Sequence, residues 1–363
     1  MGKLQKKKTS VRVKLAAGLI AAIVIAIAGA LIFIDIQLNR IGDVEDFAVV
    51  PPENEYFEPD ESYTGANGVD GSVESGGAGI SGEEAAGSAA ETGGIIWPED
   101  GDIPEDRDYI NILLIGQDRR PGGTGARSDT MILCTVNKKN NTIKLTSLMR
   151  DLYVQIPGYS DNRINAAYAF GGAELLDRTI EKNFQVHIDG NVEVDFERFQ
   201  QVIDKIGGID ISINSAEEAY LKRKGFSGLS AGTVHMDGPL ALAYSRIRYI
   251  GNADYERTER QKRVLITAYN DIKGLKLPQI LKLLNDTLPM VKTDLSNRQI
   301  VGYTTGVMLM GVEEIQTYRI PADGTFTPKS IRRMSVLVPD LTANRRILQD
   351  IIRSAEAETF GFR

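Results

Sequence analysis

Residues 110–136 read INILLIGQDRRPGGTGARSDTMILCTV. Two short apolar runs, INILLIG (110–116) and TMILCTV (130–136), flank a loop rich in glycine, arginine and aspartate. Runs of this length bounded by turn residues are buried or half-buried strands, and TIKLTSL (142–148) follows as a third. NAAYAFGGAELLDRTIEKNF (165–184) then has helical spacing interrupted by glycine. VEVDF (192–196) is a strand, FERFQQVIDKIGG (196–208) a helix closed by glycine, and IDISI (209–213) a strand. The periodicity predicts helices over 236–248, 254–274, 277–288 and 296–310, strands at IQTYRI (315–320) and MSVLVP (334–339), and a last helix from Asp340. Such alternation predicts an α/β domain over 109–355, a three-layer α/β/α sandwich with a mixed central sheet, ahead of a short tail at 356–363.

The N-terminal third has other compositions. Lys3, Lys6, Lys7, Lys8, Arg12 and Lys14 make residues 1–14 a basic tail, and an uncharged run from Leu15 to Ile34 follows. About twenty helical residues span roughly 30 Å, the thickness of a bilayer core, which predicts a transmembrane anchor over 15–36. The basic flank predicts a cytoplasmic N-terminus and an extracytoplasmic remainder. A cleavable signal peptide is the rival, since Ala26 and Ala28 give an A-x-A-like pattern, but its apolar region is shorter, about 7–15 residues. Residues 37–108 are rich in glycine and acid and poor in large apolar side chains, so they cannot bury enough surface to offset their ordering entropy. They are expected to form a disordered stalk, with a reach of about 40–50 Å.

The formal charge of −7 hides a division. Residues 1–41 carry +6 and 42–108 carry −18, which leaves +5 on 109–363. A domain so mildly basic, with no recognition-helix motif, argues against nucleic-acid binding. Its lone cysteine, Cys134, excludes an internal disulfide framework and sits in a strand as a core thiol would. His187 and His235 are the only histidines, and their spacing does not suit a metal.

Arginine and aspartate recur together. Asp118, Arg119 and Arg120 follow the first strand, Arg127 and Asp129 precede the second, and Arg150 and Asp151 follow the third. Ligands of open α/β sheets bind at such strand ends. YSRIRYIGNADYERTERQKR (244–263) adds five arginines to one lysine, and arginine's planar fork suits bidentate oxyanion binding where lysine acts as a point charge. On a helical wheel Asp254, Arg257 and Gln261 continue the apolar stripe of Val264, Leu265 and Ala268. Glu256, Arg260 and Arg263 fall on the far side, where Glu256 and Arg260 are expected to pair at i,i+4 in water. Together these segments suggest carboxylates holding a cation and guanidinium groups around polyanionic oxygens.

The segments GQDRR (116–120), RSDT (127–130), SLMRD (147–151), RINAAY (163–168), SRIR (245–248) and DYERTERQ (254–261) resemble, in order, the motifs of the LytR-CpsA-Psr family. The resemblance spans about 109–355. It implies a membrane-anchored phosphotransferase that moves a glycopolymer phosphate from an undecaprenyl-pyrophosphate carrier to peptidoglycan, at the C6 hydroxyl of N-acetylmuramic acid. It implies Asp118 and Asp129 as Mg²⁺ ligands. Arg120, Arg127, Arg150, Arg163, Arg246, Arg248, Arg257 and Gln261 would bind the pyrophosphate, with Arg150 and Arg257 also catalytic and Asp254 orienting or deprotonating the acceptor hydroxyl. Met149 stands where the family has proline, so the loop presenting Arg150 loses a fixed φ. LPQILKLLNDTLPM (277–290) and IVGYTTGVMLMG (300–311) are candidate walls for a polyprenyl chain, although helices so apolar usually belong to a core. The alternatives are a lipid-pyrophosphate sensor without chemistry and a hydrolase that uses water as acceptor.

Overall fold

The computed structural model describes residues 95, 97–99, 101, 103, 106–118, 127–248, 250, 254–312 and 314–354. The expected basic tail, anchor, most of the stalk and the C-terminal tail therefore lie outside the described residues. Among the described residues no helix is long and apolar enough to cross a membrane.

The described residues divide into two compact units, one of those up to Phe196 and again from Val312, the other of Glu197–Gly311. The first begins with β1 (Tyr109–Asp118), β2 (Arg127–Asn137) and β3 (Thr142–Leu148), joined antiparallel in that order. The short pair β4 (Tyr153–Val154) and β5 (Asn162–Arg163) leads into helix α1 (Ile164–Phe184), and β6 (Gly190–Asp195) returns parallel to β1. α2 (Phe196–Lys205) enters the second unit. There β7 (Ile209–Ile213) pairs with β8 (Gly232–Met236), and helices α3 (Ser215–Arg223), α4 (Gly238–Ser245), α5 (Asp254–Ile272), α6 (Leu277–Thr287) and α7 (Asn297–Met310) accompany the two-residue strand β9 (Lys292–Thr293). Back in the first unit, β10 (Ile315–Ile320) adds parallel to β3, β11 (Phe326–Ile331) and β12 (Met334–Pro339) make a hairpin, and α8 (Leu341–Arg353) closes the fold.

The first unit thus carries a mixed sheet in the order β10-β3-β2-β1-β6 with flanking helices. The predicted strands and helices are present, and 142–148 and 315–320 match to the residue. Two predicted strands have other partners: IDISI pairs in a separate ribbon with β8, and MSVLVP pairs with β11. β8 and β11 were not expected, because GTVHM and FTPKSI have no apolar alternation and are exposed along most of their length.

Both units bury charge as well as apolar surface. Lys144, on β3, is fully buried and donates from Nζ to the carbonyls of Ile351 and Ser354 and to Ser354 Oγ at 2.9 Å. It thereby caps the carbonyl end of α8, where a cation is favoured by the helix dipole. Arg345, on α8, does the same for α1, donating to Asn183 O at 2.7 Å and Lys182 O at 3.1 Å. A third Arg345 bond, to Glu99 O at 2.9 Å, lands on the segment preceding β1.

That segment corrects the expected stalk boundary. Trp97 stacks on Tyr153 with centroids 6.3 Å apart and donates Nε1–H to Asp161 Oδ2 at 3.1 Å, while Ile95 packs on the cluster of Tyr153, Ile331 and Val336. Composition hid the docking, because two large apolar residues suffice when a folded surface already offers them a seat. Trp97→Ala is expected to cost about 2–4 kcal/mol of stability in urea titration, somewhat below the about 3–5 kcal/mol of a core aromatic truncation because Trp97 is half-buried.

Burial pushes the Lys144 ammonium down to about 8 from its ordinary 10.5. The unfolded chain therefore binds more proton between those values, and this residue makes stability rise with pH across that window and stay flat below it. Chemical denaturation of Lys144→Met between pH 7 and 10.5 should lack that rise, which is at most about 1.4 kcal/mol per pH unit.

Candidate active site

The first unit builds its part at the ends of β1 and β2. The ladder runs in register to Gly116 opposite Thr130 and then shifts, so that Gln117 faces Ser128 and Asp129 is the extra residue of a β-bulge. A bulge re-aims the side chain it carries. Glycine is required at 116, where a Cβ would meet the Thr130 side chain at 2.9 Å. Beyond the bulge Asp118 closes β1 opposite Arg127 at the start of β2.

Asp129 begins a connected row of charges. Its Oδ1 accepts from Arg150 Nη1 at 3.2 Å, Arg150 Nε lies 3.5 Å from Asp151 Oδ2, and Arg163 Nη1 donates to Asp151 Oδ1 at 3.3 Å. All four side chains are 15–21 % exposed, enough for a ligand to reach them and dry enough to strengthen their fields. Met149 settles the missing proline. Its side chain is buried and its N–H donates to Ile320 O at 2.9 Å, a bond that proline could not make, so β3 stays paired to the residue before Arg150. The carbonyls of Arg150 and Leu152 in turn accept from Asn165 N–H and Ile164 N–H, which ties the turn to the start of α1. Desolvation pushes the Cys134 thiol up to about 12, so it stays protonated and has no place in nucleophilic chemistry.

In the second unit Arg246 is the C-cap residue of α4 and is exposed, Arg248 follows two residues on and is half-buried, and α5 starts at Asp254. Along α5 the wheel is half right. Arg257 is buried and Gln261 half-buried, on the stripe of the buried Val264. Arg260 corrects the expectation: it faces protein, only 2 % exposed, with Nε 2.7 Å from Glu217 Oε1 and Nη1 3.3 Å from Ile247 O. The expected i,i+4 contact to Glu256 exists at 3.7 Å, but as the outer arm of a buried ion pair. The reason is tertiary. Glu217 is the capping-box residue of α3, its Oε2 accepting from Asn214 N–H at 3.0 Å, and α3 carries it to α5. The pattern N-x-x-E at 214–217 after a strand was a legible helix-start signal; the partner of its glutamate was not.

Among the predicted site residues, the structure brings Asp129, Arg150 and Arg163 into one row. Asp118, Arg127 and Asp254 are placed on their strand or helix ends, and Arg120 lies outside the described residues. Asp151, in sequence only a loop residue, is the carboxylate that joins the two arginines. Among the described residues no group of three or more His, Cys, Asp or Glu side chains is gathered as for a metal ion. The candidate polyprenyl walls are not core: in α6 only Ile280 is buried, in α7 no residue is, and Leu309 is 83 % exposed.

Breaking one partner of a buried ion pair costs about 3–5 kcal/mol, and Glu217→Gln and Arg260→Met should each fall in that range by urea titration. The double variant should cost clearly less than the two together, the mark of a direct pair.

Comparison with known proteins follows the same lines. The LytR_cpsA_psr family model matches residues 81–349. The regulatory protein MsrR of Staphylococcus aureus (strain COL) is 29 % identical over 248 residues, 67 % of this chain and 74 % of its own length. The polyisoprenyl-teichoic acid–peptidoglycan teichoic acid transferase TagU of Oceanobacillus iheyensis is 36 % identical over 202 residues, 53 % of this chain and 60 % of that protein. Among solved structures, the LytR-CPS2A-psr family protein YwtF (TagT) with bound octaprenyl pyrophosphate lipid aligns with TM-score 0.54 and 26 % identity, covering 68 % of this chain and 92 % of that one.

Proposed function

The chain belongs to the LytR-CpsA-Psr family, and on that premise we infer that it is a phosphotransferase that moves a glycopolymer phosphate from an undecaprenyl-pyrophosphate carrier to peptidoglycan. The row Asp129, Arg150, Asp151, Arg163 carries this reading. Guanidinium and carboxylate groups alternate along it at 3.2–3.5 Å, and phosphate oxygens offer arginine short bidentate bonds. A pyrophosphate can therefore bind guanidinium groups that the carboxylates hold in order. Transfer of a phosphoryl group needs chiefly charge neutralisation and alignment, which such arginines supply.

The remaining residues of the family pattern, Arg120, Arg127, Arg246, Arg248, Arg257 and Gln261, keep the pyrophosphate-binding role that the resemblance implies, and Asp254 that of orienting or deprotonating the acceptor hydroxyl. Mg²⁺ suits the donor set, since carboxylate oxygens alone fit this hard cation, with phosphate and water as its other ligands. Asp129, re-aimed by the bulge, and Asp118, at the end of the neighbouring strand, would hold it. Bound there, the ion would neutralise charge on the phosphate oxygens. The half-exposed apolar faces of α6 and α7 support a prenyl ligand, and an anchor over 15–36, with a cytoplasmic N-terminus and the domain outside, would keep the protein beside its lipid carrier.

Purified chain incubated with a prenyl-pyrophosphate oligosaccharide, peptidoglycan fragments and Mg²⁺ should yield a glycan–peptidoglycan phosphodiester detectable by mass. Arg150→Ala is expected to lower the rate by about 10²-fold or more, and chelation to abolish it. Glycan phosphate released without an adduct would make the activity a hydrolysis, and transfer indifferent to Arg150→Ala would remove the site.

A further inference from the structure

Glu193 lies outside the motifs discussed above. It is 3 % exposed, near the end of β6, opposite Ile115 of β1 in the parallel ladder. Its Oε2 accepts two hydrogen bonds, one from Gln117 Nε2 at 2.6 Å and one from the Tyr168 hydroxyl. Gln117 immediately precedes Asp118, and Tyr168 is on α1, whose N-cap residue is Arg163. One buried oxygen thus ties the strand that ends in a candidate metal ligand to the helix that starts at a candidate phosphate ligand.

α1 needs such a tie because it is not one rigid rod. Gly171 and Gly172 have non-helical backbone, Gly172 with φ 64° and ψ −158°, a combination restricted to glycine. The kink separates the segment 164–170 from the longer helix beyond it, so the longer helix cannot dictate where Arg163 lies. What orients the short segment is its own bonding: the pairing of Arg163 with Tyr153 at its start, Ile164 N–H to Leu152 O, Asn165 N–H to Arg150 O, and Tyr168 to Glu193. The first three hold its start to the Arg150 turn and the strand after it, and the last alone holds its far end to the central sheet.

The geometry points to Glu193 as a positioning residue for phosphate binding, acting through Tyr168 on Arg163 and through Gln117 on the end of β1; this rests on the function proposed above. Tyr168→Phe removes one oxygen and keeps the ring, and Glu193→Gln keeps an acceptor oxygen in the same shape. In the full chain, hydrogen exchange of Tyr168→Phe should quicken in 163–170 and stay unchanged in 174–184 beyond the kink. Its kcat/KM for transfer should fall about tenfold, as for a misplacement of under an ångström. Added to Arg163→Ala the same change should cost less than about twofold, because the group it positions is gone. Glu193→Gln should recover most of the rate lost in Glu193→Leu. Unchanged exchange in 163–170, equal acceleration on both sides of the kink, or a full tenfold loss in the Arg163→Ala background would each overturn the assignment. A wild-type chain that transfers nothing would instead count against the proposed function, and the exchange comparison would still decide whether the clamp exists.

Discussion

A charged or polar group taken out of water must meet a partner or cost several kcal/mol, and this constraint organises both units. Lys144 and Arg345 obey it by seating on the carbonyl ends of α8 and α1, where the helices have acceptors to spare. Arg260 obeys it through Glu217, and Glu217 in turn caps α3. Each such group joins two elements that are distant in sequence, so the buried polar contacts act as the joints of the fold while the apolar clusters supply its bulk. The second unit shows the division of labour: Ile209, Ile211, Ile213, Leu221, Met236 and Tyr244 form its core, and the Glu217–Arg260 pair sets how α5 is turned upon it.

The row around Arg150 meets the same constraint where its groups are still 15–21 % exposed. Its groups are half-buried and matched in sign, with guanidinium and carboxylate alternating at 3.2–3.5 Å. The arrangement keeps guanidinium groups ordered and within reach of an oxyanion, which offers arginine short bidentate bonds. A bulge at Asp129, a backbone bond at Met149 and two more at Ile164 and Asn165 place the row, and none of them depends on the charges themselves. Rigid backbone thus carries the charges, a sound basis for preorganised electrostatics.

The elements were legible in the sequence wherever periodicity or turn chemistry is local. β3 and β10 follow from their apolar runs, the break in α1 from Gly171 and Gly172, and the start of α8 from Asp340, whose side chain accepts from Ala343 N–H at 3.0 Å. The Arg–Asp pairs at strand ends were legible too, because residue type and order carry them, and the family resemblance rested on the same residues.

What local pattern could not carry is partnership. The helical wheel of α5 separates Arg257 from Arg260 correctly by angle, yet both are buried, since a wheel knows one helix and burial depends on every element packed around it. Trp97 and Glu99 sit in a composition that argues for disorder and still dock, because the seat is made by Tyr153, Asp161 and Arg345 from far along the chain. Glu193 reads in sequence as one more strand charge, and only the closing of β6 on β1 and of α1 over them makes it a shared acceptor. Neighbours within a few residues set most of the elements and the chemistry available at the strand ends, so these could be read along the chain, while exposed strands such as β8 and β11 could not. The tertiary structure decided which charges are buried and with whom, because desolvation is a property of everything that surrounds a group in space.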